Sequence, residues 1–229
     1  MILIMPVKIK CHTLLVFTLI VLTHHKIIYQ MIAVDTLLAW GATYKKVTAE
    51  ETIFMEGTAG LFYYQLVSGS ARWININDDG GEFIQAMVEP GDCFGELALF
   101  DDGVYAASAV ANKESIILRL CKTSFHQLLK EHPDIHLAFT QLLAQRLRFK
   151  FLLLKELAGH NPEHSISTLF SYLKTSKRNV CQKCNQVQLT RQQIANMTGL
   201  RVETVIRTIR NLHLKGSLKI AHGKVLLGI

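Results

Sequence analysis

Between Tyr44 and about Leu120 the chain alternates short apolar runs with glycine-containing turns. Period-two or continuous apolar patterning occurs in segments such as FYYQLVSG, ARWININDDG and EFIQAMVEPG, and turn signals recur roughly every 8–12 residues. This spacing is typical of short antiparallel strands that close into a barrel or a sandwich. The clearest hairpin signal is DDGG at 78–81.

The pattern changes at Pro133, where one helical pattern begins and continues without a breaker to Gly159. Because proline suits the first turn of a helix and glycine its end, we predict a helix of about 25 residues, or roughly 38 Å. The stretch GHNPEH at 159–164 then marks a hinge before a second domain.

The long helix carries two apolar stripes. A heptad seam with 4-3 spacing contains Leu143, Leu147, Lys150, Leu154 and Leu157. A second stripe contains Phe139, Leu142, Phe149 and Leu153. The second stripe can face the barrel while the leucines of the seam pair with a second copy of the chain, so a homodimer is predicted. The alternative is a helix buried entirely within one chain.

Two further helices separated by a tight turn are predicted within LTRQQIANMTGLRVETVIRTIRNLHLKG at 189–216. Thr190 is placed to cap the first helix, and Gly199 lies where a sharp turn requires a positive φ. The second helix begins near Val202 and ends at about His213. The small core between the two helices is predicted to contain Ile194, Ala195, Leu200, Val205 and Ile209. This is the helix-turn-helix arrangement, in which the second helix enters the major groove of DNA.

The last segment, SLKIAHGKVLLGI, alternates on either side of His222–Gly223, as a hairpin with a two-residue turn does. A hairpin directly after the second helix is a wing. An ordinary helical hairpin is the alternative to the winged helix-turn-helix.

Charge favours a nucleic-acid partner for this region. The whole chain has a net charge of +7, but residues 160–229 contain eleven lysines and arginines against only Glu163 and Glu203, which is +9. The first 159 residues are therefore slightly acidic. A basic terminal third next to a nearly neutral body indicates a polyanion partner for that third alone.

The second helix predicts direct base readout. Glu203 can accept a hydrogen bond from the N4 amino group of cytosine, and Arg207, one turn later, can donate to guanine O6 and N7. Val202 offers apolar contact to a thymine methyl group, and Ile206 shares the same face. Phosphate contacts are assigned to Thr190, Arg191, Gln192, Thr204, His222 and the Gly223 backbone.

The five cysteines, Cys11, Cys93, Cys121, Cys181 and Cys184, are odd in number and widely spaced, which favours a reducing cytoplasm over a secreted disulfide framework. The apolar run at 14–22 is too short for a membrane span of roughly 20 residues and lacks a following signal-peptidase motif. We therefore predict that residues 1–30 are an extension and that Met31 is the true start, with a signal peptide or a membrane segment as the alternatives.

These motifs together resemble the Crp/Fnr family of bacterial transcription regulators. The resemblance rests on PGDCFGELALFDDG, on the long helix and on TRQQIANMTGLRVETVIRTIR before AHGK. It implies an α+β protein with an antiparallel β-roll like that of cyclic-nucleotide-binding domains over 31–132, a dimerisation helix over 133–159 and a winged helix-turn-helix over 160–229. It also implies a homodimer that binds a palindrome with TGA-containing half-sites, read by Glu203 and Arg207, and RNA polymerase as a partner. Valine at 202 matches the Fnr branch, whereas Ile206 departs from the serine typical of that branch.

The resemblance also defines an effector pocket. In relatives that bind cyclic AMP, an arginine of the glycine-rich segment pairs with the cyclic phosphate, and here Ala106 and Ala107 occupy that position. The helix positions that contact adenine fall on Lys150 and Phe151. Gly95 and Glu96 remain, so Glu96 is expected to hold a hydroxyl group or to cap a loop. No cation from the barrel is expected in the pocket, and Lys150 is the only nearby candidate. We therefore predict that the protein does not depend on cyclic AMP; a different effector remains the alternative.

Other sensing chemistries leave weaker signals. An iron–sulfur cluster needs several N-terminal cysteines, and only Cys11 is present there. The histidines His126, His132 and His136 are interpreted as surface residues rather than haem ligands. The pair Cys181-x-x-Cys184 is half a zinc site, so no metal or cofactor is predicted; a redox-sensitive thiol pair is the alternative to ordinary loop cysteines.

No enzyme is predicted, because the sequence contains no P-loop, no dinucleotide-binding fingerprint and no nucleophile–base–acid set. A regulatory module of a kinase or channel would share the barrel, but the helix-turn-helix argues against that class.

Overall fold

The computed structural model describes residues 30–228. The predictions for the N-terminal extension, including its apolar run and the start at Met31, concern residues outside the described part. Within it, the chain forms an antiparallel β-roll, a long helix and a C-terminal helical unit with a β-hairpin, which confirms the predicted α+β fold.

The strands are β1 (Thr43–Val47), β2 (Thr52–Phe54), β3 (Phe62–Ser68), β4 (Ala71–Ile76), β5 (Glu82–Val88), β6 (Cys93–Phe94), β7 (Ser108–Ala111), β8 (Ser115–Cys121), β9 (Leu218–Ala221) and β10 (Lys224–Leu227). The helices are α1 (Val34–Ala39), α2 (Leu97–Phe100), α3 (Lys122–Glu131), α4 (Pro133–Gly159), α5 (Pro162–Ser176), α6 (Arg191–Thr198) and α7 (Val202–Leu214).

Two antiparallel four-stranded sheets make up the roll, with strand orders β1-β8-β3-β6 and β2-β7-β4-β5. The predicted hairpin at 78–81 joins β4 to β5, and the backbone N–H of Gly80 donates to the Asn77 carbonyl at 2.8 Å. The wing is a separate two-stranded sheet of β9 and β10.

Aromatic packing holds the start of α4 against the first sheet. Tyr63 of β3 stacks on Phe125 of α3 with ring centroids 4.9 Å apart, and Phe139 of α4 meets Phe125 edge to face at 5.4 Å. All three rings are fully buried. Burial of three large aromatic side chains at one point stabilises this junction strongly.

A second apolar core joins the roll to the C-terminal unit. It contains Ile74 and Ile84 of the second sheet, Phe149 and Leu153 of α4, and buried residues of α5, α6 and α7. Polar interactions also join the roll to the C-terminal unit. Arg178 donates to the buried carboxylate of Asp92, and the Asn179 N–H donates to Glu89 Oε2 at 3.3 Å. The C-terminal unit is therefore packed directly on the roll.

Helix α4 has one buried and one open side. Phe139, Phe149 and Leu153 of the predicted second stripe are buried. On the open side, the exposed fractions are 55% for Leu147 and 60% for Leu154, and Leu157 is also exposed. Leu143 is half-buried.

The prediction that Lys150 belongs to the seam with these leucines is wrong. Lys150 turns towards β5, where its amine donates to the Gln85 carbonyl at 3.0 Å. Phe151, 63% exposed, lies on the open side instead. Leu147, Phe151 and Leu154 therefore form the apolar seam at 4-3 spacing.

None of the helices between residues 30 and 228 is long and apolar enough to cross a membrane.

Candidate nucleic-acid interface and effector pocket

The helix-turn-helix is defined by a cap at one end of α6 and a left-handed turn at the other. The Thr190 hydroxyl accepts from the Gln193 N–H at 3.1 Å, and the Gln193 side chain accepts from the Thr190 N–H at 2.9 Å. This reciprocal capping box satisfies two N–H groups at the helix start. Gly199 has a φ of +66°, which a residue with a Cβ adopts only at a cost. It ends α6, and two residues separate it from the start of α7 at Val202.

Helix α7 is amphipathic, and its apolar face fixes which side chains are presented outward. The buried face consists of Val205, Thr208, Ile209 and Leu212. Of the residues predicted for base readout, Glu203, Ile206 and Arg207 are exposed and Val202 is half-buried. The exposed three lie within a turn and a half at the start of the helix, which is the part that contacts base edges in helix-turn-helix proteins.

The wing turn and the start of α6 lie side by side. His222 and Gly223 both have positive φ, at 48° and 74°, which is the type I′ turn favoured in two-residue hairpins. The Arg191 guanidinium donates to the Gly223 carbonyl at 3.3 Å. The structure thus brings together three of the residues predicted to contact phosphate. Gln192 is exposed, and Thr204 on α7 is half-buried.

Further basic residues flank this surface. Arg201 occupies the position before α7 without a side-chain capping hydrogen bond, Arg210 follows Arg207 by three residues, and both arginines are exposed. Both arginines contribute to the basic charge of residues 160–229, but no contact was predicted for either. The three-residue spacing from Arg207 places Arg210 on the same side of the helix. Lys215 is engaged elsewhere, in an ion pair with Glu163 at 2.7 Å.

The roll contains a cavity of about 220 Å³ between the glycine-rich segment and α4. Its walls are largely apolar and are formed by Phe54, Trp73, Gln85, Gly95, Leu97, Ala98, Tyr105, Ala106, Ala107 and Lys150. A Cβ at position 95 would lie 3.0 Å from the Phe54 ring, so the close approach of this segment requires glycine. Four of the six predicted pocket residues line the cavity; Glu96 and Phe151 do not.

Three polar side chains of the cavity wall are linked by hydrogen bonds, whereas Trp73 Nε1, also in the wall, is buried without a hydrogen-bond partner among the described residues. Lys150 donates to the Gln85 side-chain oxygen, and Gln85 Nε2 donates to Asn75 Oδ1 at 2.7 Å. Asn75 Nδ2 in turn donates to the Ala106 carbonyl at 2.9 Å. Burial, together with the charge of Arg146, lowers the pKa of the Lys150 amine to about 8. The one cation lining the cavity is therefore already bound and is easily deprotonated.

The expectation that Lys150 is the only cation near this site is wrong, because Arg146 lies one turn earlier on α4. Its guanidinium donates to Glu96 Oε1 and to the Cys93 carbonyl, the latter at 3.0 Å, and lies 5.4 Å from the centroid of the Trp73 ring. Glu96 is completely buried. Burial raises the pKa of its carboxyl group, and the charge of Arg146 opposes that rise.

The carboxylate of Glu96 is thus bound by Arg146 of α4 and does not face the cavity. Its second oxygen, Oε2, is buried without a hydrogen-bond partner among the described residues. Although Glu96 immediately precedes α2, its side chain does not cap that helix.

No group of three or more His, Cys, Asp or Glu side chains suited to a metal ion occurs within residues 30–228. A β-roll with an internal cavity, joined by a long helix to a basic winged helix-turn-helix, defines a DNA-binding transcription regulator with a sensory-type domain.

Comparison with known families agrees with this class. The family described as Cyclic nucleotide-binding domain matches residues 44–132, and the Crp-like helix-turn-helix domain matches residues 166–227. The chain belongs to the Crp/Fnr family of transcription regulators, which are not enzymes and are typically dimeric.

Relatives of similar length support the assignment. The cAMP-activated global transcriptional regulator CRP of Haemophilus influenzae is 29% identical over 198 residues, which cover 84% of this chain and 88% of that protein. The Cyclic AMP receptor protein of Thermus thermophilus is 29% identical over 173 residues, covering 76% and 78% of the two chains.

Solved structures show the same fold. The c-di-GMP responsive global regulator CLP of Xanthomonas campestris aligns with a TM-score of 0.68 and 21% identity over 86% of this chain and 98% of that chain. FixK2 of Bradyrhizobium japonicum aligns with a TM-score of 0.64 and 22% identity over 82% and 93% of the two chains.

Proposed function

We propose that the protein is a homodimeric, sequence-specific transcription regulator that binds a palindrome with TGA-containing half-sites and does not require cyclic AMP. The observation that carries the proposal is the exposed start of α7, where Glu203 and Arg207 lie one helical turn apart on the same side of the helix.

The DNA face combines two kinds of contact. Glu203 and Arg207 offer a carboxylate for a cytosine amino group and a guanidinium for guanine, which read base edges. A second cluster lies at the start of α6 and the wing turn and is suited to contact the phosphate backbone. It consists of Arg191, His222 and Gly223. A face with both kinds of group supports specific rather than purely electrostatic binding.

Dimerisation through α4 brings a second recognition helix to the second half-site of the DNA. Leu147, Phe151 and Leu154 leave an apolar stripe at heptad spacing open to solvent, and a second copy of α4 covers it in the proposed dimer. Two-fold symmetry of the protein then requires a palindromic operator, with half-sites about one helical turn apart.

Three observations argue against cyclic AMP as the effector. Ala106 and Ala107 provide no cation for the cyclic phosphate, and Lys150 is bound to Gln85 with a pKa of about 8. The cavity of about 220 Å³ lies below the roughly 300–1,000 Å³ of typical small-molecule sites. Lys150, Gln85 and Asn75 in its wall are already hydrogen-bonded in a chain, so a nucleotide would have to break those hydrogen bonds before using these three side chains.

A member of the same family gated by another effector is the second candidate function. The apolar cavity next to Lys150 favours it, because a volume of about 220 Å³ can admit a ligand smaller than a nucleotide and without a phosphate. The class of kinase or channel regulatory modules is not favoured, since the C-terminal unit is a Crp-like helix-turn-helix.

Selection from a random pool of duplex DNA tests the proposed function. The purified full chain, with no nucleotide added, is expected to enrich a palindrome with TGA in each half-site. Enrichment only after cyclic AMP is added would contradict the proposal, and so would failure to enrich any palindrome.

A further inference from the structure

Cys181 and Cys184 lie in a tight turn directly before the helix-turn-helix. The turn is closed by two backbone hydrogen bonds of 2.8 Å, from the Cys181 N–H to the Gln186 carbonyl and from the Asn185 N–H to the Cys181 carbonyl. Asn185 has a φ of 54°, which completes the reversal of the chain. The turn is therefore a defined structure that brings the two cysteines together.

Cys181 accepts hydrogen bonds within this turn. The Cys184 side chain hydrogen-bonds the Cys181 sulfur, as do the backbone N–H groups of Lys183 and Cys184. These hydrogen bonds lower the pKa of the Cys181 thiol, so more of it is present as the reactive thiolate. Both cysteines are free thiols; Cys184 is exposed and Cys181 is half-buried.

The turn is hydrogen-bonded to the wing. The Asn185 carbonyl accepts from the Leu227 N–H at 3.0 Å, and Gln186 forms an antiparallel bridge with Leu226. Both partners belong to β10, which begins at Lys224 next to the wing turn. One strand therefore connects the cysteine turn to the wing turn, where DNA contacts are proposed.

We propose that Cys181 and Cys184 form a reversible disulfide that weakens binding to DNA. In the reaction, the Cys181 thiolate attacks a low-molecular-weight disulfide such as oxidised glutathione and releases one thiol. The Cys184 thiolate then attacks the mixed disulfide and releases the second thiol. The protein loses two electrons and two protons, and the glutathione disulfide is reduced to two thiols.

The S–S bond replaces the hydrogen bonds to the Cys181 sulfur and so alters the turn that carries Asn185. Loss of the hydrogen bond from Leu227 to Asn185 displaces β10, and with it the wing. We expect the oxidised protein to bind the selected operator about tenfold more weakly, the equivalent of about 1.4 kcal/mol. This readout rests on the proposed DNA-binding function, whereas formation of the disulfide does not.

The experiment equilibrates the full chain in buffers of increasing ratio of oxidised to reduced glutathione. Intact mass and peptide mapping follow the loss of two hydrogen atoms and the link between residues 181 and 184, and fluorescence anisotropy follows operator affinity. We expect both changes to occur together and to reverse with excess thiol. Cys184→Ser should bind DNA equally well at every ratio. Cys121→Ser is the matched control, because Cys121 is also an exposed thiol with a lowered pKa but lies on the roll; it should behave like the unmodified chain.

Stable glutathione adducts without an internal disulfide would overturn the proposal. A disulfide that leaves operator affinity unchanged would overturn its regulatory part. Failure of the fully reduced protein to bind the palindrome would instead overturn the proposed function, while the mass measurement would still test the disulfide.

Discussion

Arg146 on the long helix α4 donates to Glu96, a completely buried carboxylate at the start of α2. The pair joins the glycine-rich segment of the roll to the helix that carries the proposed dimer contact. A buried charge is tolerated only with its partner, because its loss of hydration must be compensated. The structure of this segment therefore depends on α4.

We expect Arg146→Met to destabilise the protein by about 3 kcal/mol, since it leaves Glu96 buried without its cation. The double variant with Glu96→Gln removes both charges and should recover most of that loss. Urea denaturation of the single and double variants measures the difference. Equal destabilisation in both variants would show that packing of the arginine, rather than charge pairing, is responsible.

The same variant should show a characteristic pH dependence. Burial raises the pKa of Glu96 above its ordinary value of 4.5, and removal of Arg146 takes away the charge that opposes this rise. A carboxyl group with a raised pKa in the folded state favours folding when protonated, so stability is lost as the pH rises through that pKa. The deficit of Arg146→Met relative to the unmodified chain should thus shrink as the pH falls from 8 to about 5. A deficit independent of pH would mean that Glu96 is not the group left uncompensated.

Local signals made much of this fold predictable from sequence. Proline and glycine fixed the limits of α4 at Pro133 and Gly159, and Thr190 and Gly199 defined α6. The spacing of apolar residues also identified the small core of the helix-turn-helix, although Leu200 is only half-buried. Helix α5 was not predicted, since only its hinge was recognised.

The faces of α4 were harder to assign. Lys150 and Phe151 are neighbours, and a heptad pattern fits either when two apolar stripes run along one helix. The choice depends on the polar partner that β5 offers to Lys150, which is a long-range contact. The role of Arg146 was missed for the same reason, because its partner Glu96 is fifty residues away in the sequence.

Dimerisation should depend on the open side of α4. Leu154→Glu places a charge in the proposed seam, and burial of that charge against a second copy is costly. We expect this variant to sediment as a monomer and to lose affinity for the palindrome. Lys155→Glu is the matched control, because residue 155 is also exposed on α4 but lies outside the seam; it should remain a dimer. A dimeric Leu154→Glu would place the contact elsewhere.

Base readout and phosphate contact should separate by mutation. Arg207→Ala should lose about 1–3 kcal/mol of discrimination at one guanine of the half-site. Arg191→Ala should instead weaken binding to all sequences alike and reduce the salt dependence of the affinity. Competition binding with single-base operator variants at several salt concentrations distinguishes the two effects. If Arg207→Ala selects the same motif as the unmodified chain, the assignment of Arg207 is wrong.

The affinity of the nucleotide-free protein for the selected palindrome, measured with and without about 1 mM cyclic AMP, tests most directly whether operator binding needs this nucleotide. A ligand present at 100 times its Kd stabilises a protein by about 2.7 kcal/mol, so binding would also raise the melting temperature visibly. We predict tight operator binding without nucleotide and no change in affinity or melting temperature when it is added. Operator binding that appears only with cyclic AMP, together with a rise in melting temperature, would contradict the account.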